Sequence, residues 1–212
     1  MIDETAIRAP RLTRAEQRDA TRRALVEATA ECLVEEGYAA LTTRRVAERA
    51  GVAQSTLMHH FATREALLVE AVTYLALQLV ARALEEIDLA ALRAPERREA
   101  VLDEAWREFT SPQALAASQL WVAAWTEPEL AETLRELAER IRAILANTSV
   151  AFFPDLAPDP RLPALLDTTV SLIRGLVLDI PVAGRDAVDA RWKAIKPILL
   201  ESAAELLDKP AR

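Results

Sequence analysis

Glycine is scarce in this chain of 212 residues, which has only four, and the Asn-Gly pairs that mark tight hairpins are absent. The two closest glycines, Gly175 and Gly184, are nine residues apart, which excludes a glycine-rich phosphate loop. Alanine, leucine, glutamate and arginine, all strong helix formers, dominate the composition. We therefore predict an all-α fold.

Cysteine and histidine are also rare. Cys32 is the only cysteine, so no internal disulfide is possible. The only histidines, His59 and His60, are adjacent, and on a helix they would point about 100° apart and could not share one metal ion. The Glu-x-x-His pair of di-iron bundles and a serine in a nucleophile elbow are missing. We predict no metal site, no cofactor and no enzymatic activity.

Long uncharged apolar segments are absent as well. No segment approaches the ~18 uncharged apolar residues of a membrane span. The N-terminal residues lack the apolar core of a signal peptide. These absences predict a cytoplasmic protein with no membrane partner.

The net charge of −7 hides an asymmetry along the chain. Residues 1–64 hold ten arginines and nine acids, whereas residues 65–212 hold 16 lysines and arginines against 24 acids. Phosphate contacts need cations, so the acidity of the second part argues against nucleic-acid binding there but not in the first part. We predict a flexible basic arm over residues 1–18. Its positive charges are Arg8, Arg11, Arg14 and Arg18.

Prolines, glycines and capping threonines divide the chain into about nine predicted helices. Gly37 ends the first helix, Thr42 or Thr43 caps the second, and Thr63 caps the fourth. Prolines in the second part stand where the first turn of a helix tolerates them. The predicted helices span residues 15–36, 43–50, 54–60, 64–87, 95–110, 112–126, 128–150, 162–180 and 185–207.

Residues 42–61 are predicted to form two short helices joined by a turn at Gly51. Apolar side chains hold these helices together at Val46, Ala47, Ala50, Val52, Leu57 and Phe61. The second helix then presents hydrogen-bonding groups and no acid to the outside. Such a surface suits the major groove of DNA, with its N-terminal residues nearest the bases. The segment is therefore a candidate helix-turn-helix.

The stretch LTTRRVAERAGVAQSTLMHHFATREALL resembles the DNA-binding domain of the TetR family of transcriptional regulators. ALVEATAECLVEEGYAALT before it resembles the first helix of that domain and its Gly-Tyr ending. The resemblance covers about residues 20–72. It implies an N-terminal three-helix DNA-binding domain, residues 19–63, and a C-terminal helical effector-binding and dimerisation domain, residues 64–212.

Four positions depart from the family pattern. Ala53 replaces a serine, which removes an N-cap and costs ~1 kcal/mol. Ser55 replaces a glycine or proline, and Met58 replaces a tyrosine whose hydroxyl meets a phosphate in the family. Arg64 replaces a lysine and keeps its charge. The first three changes weaken or retune DNA contact without removing the motif.

The resemblance implies which side chains approach DNA. Arg44 can reach a guanine edge or a phosphate, and Gln54 can pair with adenine through its amide. His59 and His60 would face the DNA backbone, and Arg64 a phosphate. The alternative is that about half of these residues make no DNA contact and instead pack within the protein or are solvated. In that case His60 would cap or brace the end of the helix. The predicted DNA-contacting residues are Thr42, Thr43, Arg44, Gln54, Ser55, Thr56, Met58, His59, His60 and Arg64.

In the second domain the resemblance implies a small-molecule effector, and the aromatic residues suggest a place for it. Trp106, Phe109, Trp121 and Trp125 are predicted to cluster across two helices, where they can line an apolar cavity or form plain core. Arg174 interrupts an apolar helix and can hold an anionic effector or make a structural salt bridge.

The resemblance also implies a homodimer through the last two helices. An apolar stripe on the last helix predicts the interface at Trp192, Ile195, Leu199 and Leu206, with the chain's own core as the alternative. The function that follows is a repressor that binds a palindromic double-stranded DNA operator and is released by a small hydrophobic or aromatic effector. An all-helical small-molecule-binding protein or enzyme that keeps the helix-turn-helix as a scaffold is the alternative.

Overall fold

The computed structural model describes residues 13–156 and 159–208 and confirms the all-α prediction. Within those ranges the chain forms nine α-helices, three short 3-10 turns and no strand. The helices are α1 Arg14–Glu36, α2 Thr43–Arg49, α3 Gln54–His60, α4 Arg64–Glu86, α5 Arg98–Phe109, α6 Pro112–Ala123, α7 Pro128–Phe152, α8 Arg161–Ala183 and α9 Arg185–Leu207.

Helix α1 begins at Arg14, within the predicted flexible arm of residues 1–18. Thr13 and Glu16 form a capping box, in which the Thr13 side chain accepts from the Glu16 backbone and the Glu16 side chain accepts from the Thr13 backbone. The predicted arm over residues 1–18 is therefore too long, because residues 14–18 are the first turns of α1. Arg8 and Arg11 lie outside the described residues.

Local capping fixes the two helices of the helix-turn-helix. The Thr42 side chain accepts from the Arg45 backbone N–H at 3.3 Å, so Thr42 and not Thr43 caps α2. Gly51 turns the chain with φ of +68°, a region that favours glycine. Ala53 gives α3 no side-chain cap, as its sequence predicts.

One core joins the predicted DNA-binding domain to the start of the second domain. It runs from α1 to α3 through α4 and continues into α6 and α7. Its fully buried members include Leu25, Leu57, Leu67, Leu68 and Leu120. Helix α4 therefore packs against helices of both domains.

Helix α4 also corrects the expectation about apolar segments. By length and composition it is the one helix of the described residues that could cross a membrane, with a window of 18 residues carrying at most two charges. Leu67, Leu68, Ala71, Val72 and Leu75 lie buried in the core, because this helix is shared by two packing surfaces.

A second core lies between α5, α8 and α9. Trp106 and Trp192 stack there with ring centroids 5.1 Å apart and planes 8° apart. Ile173, Val177, Val188 and Leu199 complete its buried part. The second domain is therefore held by helices that are distant in sequence, α5 with α8 and α9.

Candidate nucleic-acid interface

The outer face of α3 is exposed and uncharged. Gln54, Ser55, Met58 and His59 are exposed, whereas Leu57 is fully buried in the core. No acidic residue lies on α3. Thr56 is half-buried beside this face. The predicted recognition residues therefore share one accessible surface, with hydrogen-bonding groups at the N-terminal end of the helix.

Helix α2 adds two residues to this surface. The first is Thr43, whose Oγ1 accepts a hydrogen bond from Gln54 Nε2 at 3.2 Å. The second is Arg44, whose side chain is 79% exposed and pairs with Glu48 at 2.9 Å. Thr42 is exposed but acts as the α2 cap, so its hydroxyl is already used.

His60 differs from its neighbour His59. Its ring is half-buried, and Nδ1 is buried with no hydrogen-bond partner among the described residues. Burial lowers the pKa of His60, and the charges of His59, Arg18 and Arg22 lower it further. The two histidines thus differ in exposure: the His60 ring is half-buried at the end of α3, whereas the His59 side chain is exposed.

Arg22 was not among the predicted site residues, yet it anchors the end of α3. Its Nη1 donates to the His60 carbonyl at 2.8 Å, its guanidinium pairs with Glu70, and it lies 4.3 Å from the Phe61 ring centroid. The contacts join α1, α3 and α4. A single sequence holds no signal for them, because Arg22 and Glu70 are 48 positions apart.

The first turns of α1 extend the positive surface. Arg14 and Arg18 are exposed, and together with Arg22 they follow an i, i+4 spacing along one helix face. These three arginines, Ala15 and Asp19 line an open groove of about 530 Å³. Arg14 and Arg18 make no ion pair with any other part of the described chain. Both are therefore exposed cations at the start of α1.

Arg64 lies at the junction of the two domains. It is half-buried, and its guanidinium stands 5.2 Å from the centroid of the Tyr38 ring. The Tyr38 hydroxyl donates to Glu127, and the Tyr38 backbone N–H donates to Gln119 Oε1 at 3.0 Å. Burial, then the contact with Glu127, raises the pKa of Tyr38. Arg64 thus helps to fasten the DNA-binding domain to α6 and α7.

The predicted aromatic cluster does not form as one group. Trp106 lies in the second core, where its Nε1 donates to Asp189 at 2.8 Å, and Phe109 packs against the same core. Trp121 packs against the first core. Trp125 is 89% exposed, because α6 ends at Ala123 and leaves Trp125 in the following turn.

Arg174 is half-buried on α8, with its guanidinium 4.7 Å from the Trp121 ring centroid. Its guanidinium donates a long hydrogen bond to Ser171 Oγ at 3.5 Å. In the described ranges no carboxylate pairs with it. The predicted salt bridge is therefore absent from this part of the chain, and the pair Arg174–Trp121 joins α8 to α6.

The predicted dimer stripe on α9 mostly faces the chain's own core. Trp192, Leu199 and Leu206 are 2%, 5% and 3% exposed, and Ile195 is half-buried. Trp192 stacks on Trp106, and Leu206 packs with Phe153 and Leu162. Periodicity identified a packing face correctly but could not say which partner it meets.

A different face of the last two helices is exposed, and we call it the α8–α9 face. Its uncharged residues follow helical spacing on two helices that pack against each other, and an ion pair between Arg191 of α9 and Asp179 of α8 lies one turn from Ala187 and Gly175. The residues of the face are Ala164, Thr168, Ser171, Gly175, Leu178 and Val182 on α8, and Ala187, Ala190, Ala194 and Ile198 on α9. Val182 is 85% and Ile198 62% exposed.

Comparison with known proteins places the N-terminal segment in a family. Residues 25–71 match the model of the bacterial regulatory proteins of the tetR family. No curated protein matches the chain. Among solved structures, the transcriptional regulator SCO7518 from Streptomyces coelicolor A3(2) is 27% identical over 89% of this chain and 99% of its own, with a TM-score of 0.62.

Two further structures share the fold across both domains. A TetR transcription regulator from Haloarcula marismortui ATCC 43049 has a TM-score of 0.65 at 20% identity, over 89% of this chain and 98% of its own. The multidrug binding protein EbrR in complex with imidazole has a TM-score of 0.59 at 22% identity, over 90% and 96%. Residues 25–71 therefore carry the DNA-binding helix-turn-helix segment of the bacterial tetR family, and the chain shares the fold of regulators of that family across both domains.

Proposed function

We propose that this protein is a cytoplasmic repressor that binds a palindromic operator as a homodimer and leaves it when a small effector binds. The observation that carries the proposal is the exposed, acid-free face of α3, with Arg44 beside it and Arg14 and Arg18 at its edge. An uncharged hydrogen-bonding helix flanked by cations matches a major groove bordered by phosphates.

The residues of this surface divide into two roles. Arg44, Gln54 and Ser55 are at the helix starts, nearest the bases, and we assign them to sequence readout. Arg14, Arg18 and His59 are exposed at the periphery, and we assign them to phosphates. Met58 lies between the two groups and carries no donor, so it adds only apolar contact.

The α8–α9 face supports the homodimer. It exposes Val182 and Ile198 among small residues, so two copies of the helix pair can approach closely and form a four-helix contact. A two-fold axis through this face would give the dimer two α3 helices. Such dimers bind half-sites about 34 Å apart, one turn of DNA.

A small hydrophobic or aromatic effector is supported by the Arg174–Trp121 pair. Trp121 belongs to the first core and α8 to the second, so a ligand between these side chains would contact both. EbrR, a multidrug binding protein of similar fold, forms complexes with imidazole and with proflavin, and this likeness supports an aromatic effector here. The Tyr38–Glu127 contact would then pass a movement of α6 and α7 to the DNA-binding domain.

The DNA-binding part is tested by selection from a pool of randomised 25-base-pair duplexes. The native protein should enrich a palindrome, and the enriched duplex should compete better than random DNA in a mobility-shift assay. Enrichment of no common sequence would contradict the proposal, because the exposed α3 face would then read no bases.

The effector part is tested with benzoate, proflavin and toluene, an anionic, a cationic and a neutral aromatic probe. At least one should raise the melting temperature and release the protein from the selected duplex. Trp121→Ala should weaken both effects, whereas Trp125→Ala, at an exposed site, should leave them unchanged. A folded Trp121→Ala protein with the native response would remove this pair from the effector site.

A further inference from the structure

The Gln54 side chain is held in place before any DNA arrives. Gln54 is the first residue of α3 and is exposed, and its Nε2 donates to Oγ1 of Thr43, the first residue of α2, at 3.2 Å. The two residues are 11 positions apart and face each other across the turn at Gly51. The nearby Arg44 guanidinium is engaged by Glu48, so it does not compete for either group.

The hydrogen-bonding capacity of the glutamine amide determines what remains for DNA. A glutamine amide has two N–H donors and one carbonyl oxygen. Thr43 takes one donor, which leaves one N–H and the carbonyl oxygen Oε1 on the exposed side. One donor and one acceptor are what an amide uses to bind adenine at N7 and N6 together. The reverse orientation of the amide would expose two donors, which match the N7 and O6 acceptors of guanine instead.

Thr43 is suited to a positioning role by its place in the helix. It is half-buried and β-branched, so its side chain has few rotamers to choose from. Thr42 supplies the α2 cap, so the Thr43 hydroxyl is not needed for capping. Fixing the Gln54 side chain beforehand reduces the conformational entropy that it would otherwise lose on binding DNA.

We infer that Thr43 is a positioning residue that orients the Gln54 amide to select adenine within each half-site. The inference rests on the proposed operator binding. It adds a specificity-determining residue that acts through a neighbour, with no contact of its own to the base.

The experiment repeats the randomised-duplex selection with native protein, Gln54→Ala, Thr43→Val and Thr43→Ser. Native protein should enrich a palindrome with adenine at one position of each half-site, and Gln54→Ala should lose that preference. Thr43→Val keeps the side-chain shape but removes the acceptor. It should lower the adenine preference about three- to tenfold, the usual effect of one neutral hydrogen bond. Thr43→Ser should restore the native preference.

Affinity at two salt concentrations separates this role from a direct phosphate contact. Thr43→Val should leave the salt dependence and the binding to random DNA as in the native protein, with an unchanged melting temperature. Equal weakening on operator and random DNA would make Thr43 a backbone contact and overturn the inference.

Three other results would also overturn it. The first is a native adenine preference in folded Thr43→Val, and the second is an unchanged adenine preference in Gln54→Ala. The third is enrichment of guanine, in place of adenine, at the base pair whose preference is lost in Gln54→Ala. If the native protein enriches no sequence, the proposed function fails as well. If it enriches a palindrome that Thr43→Val reads unchanged, only the inference fails.

Discussion

His60 is a residue whose charge is controlled by the fold. Its ring is half-buried at the end of α3, Nδ1 meets no partner among the described residues, and burial lowers its pKa from 6.5. The folded protein therefore holds His60 neutral under conditions in which the unfolded chain protonates it. The position that links α3 to Arg22 and Glu70 is thus sensitive to acid.

We predict that acid weakens the native protein through His60. The unfolded state binds a proton at His60 more readily than the folded state does. The free energy of unfolding therefore keeps its full value above pH 6.5 and decreases as pH falls from 6.5 towards the lower pKa of folded His60. Urea unfolding at pH 7.5 and 5.5 should show a larger loss for native protein than for His60→Gln. His59→Gln removes one of the charges that lower the pKa of His60, so its loss should lie between those of the native protein and His60→Gln. Equal losses for native protein and His60→Gln would show that His60 does not titrate in this range.

The arginines at the start of α1 give a second prediction at this scale. Arg14→Ala and Arg18→Ala should weaken operator and random DNA about equally, because phosphates carry no sequence information. Each should lower the slope of log affinity against log salt by roughly one unit. Lys193→Ala, an exposed cation on α9, should leave the slope unchanged. A sequence-dependent loss for Arg14 or Arg18 would instead place that residue in a groove.

At the scale of helices, α5 and α9 are joined by polar contacts inside the second domain. Lys196 is 8% exposed and contacts Asp103 at 2.9 Å and Glu99 at 2.8 Å. One turn away, Trp192 Nε1 donates to the same Asp103, and at the C-terminal end Arg98 donates to Asp208 at 2.9 Å. These contacts fix the register of α9 against α5 and so set where the α8–α9 face points.

Replacing Lys196 with methionine should destabilise the protein by about 1–3 kcal/mol. Glu99 and Asp103 would lose their cation, but their side chains are 65% and 47% exposed and water would solvate them in part. The matched control is Lys193→Met on the same helix, where the lysine is exposed and should cost less than ~0.5 kcal/mol. Urea midpoints compare the two, and equal midpoints would mean that the buried contacts add nothing.

At the scale of the whole molecule, the α8–α9 face determines whether one or two recognition helices act together. The native protein should sediment as a dimer at micromolar concentration. Ile198→Glu places a charge in the uncharged face and should give monomers, because an unpaired buried charge costs several kcal/mol. Val122→Glu, at an exposed apolar residue of α6, should remain dimeric. A monomeric native protein would contradict this assignment.

How far the sequence could predict the molecule depends on the range of each interaction. Helix ends came from local signals such as Thr63, whose side chain caps α4, and the exposed α3 face followed from the spacing of Leu57 and Phe61. Contacts between distant residues could not be predicted, as with Tyr38 and Glu127 or Trp106 and Trp192. The apolar stripe on α9 has the period of a packing face, which fits either a second copy of the chain or the chain's own core. Only the fold shows that α5 and α8 cover it.

The central claim is that the exposed α2–α3 face reads DNA sequence. The most direct test is the ratio of operator to random-DNA affinity for Arg44→Ala, with Arg135→Ala as the control, since each arginine is exposed and pairs with a glutamate on its own helix. Arg44→Ala should cost about 1–3 kcal/mol on the operator and much less on random DNA, while Arg135→Ala keeps the native ratio. An unchanged ratio for folded Arg44→Ala, with the operator still bound, would contradict the assignment of base readout to this residue and this face.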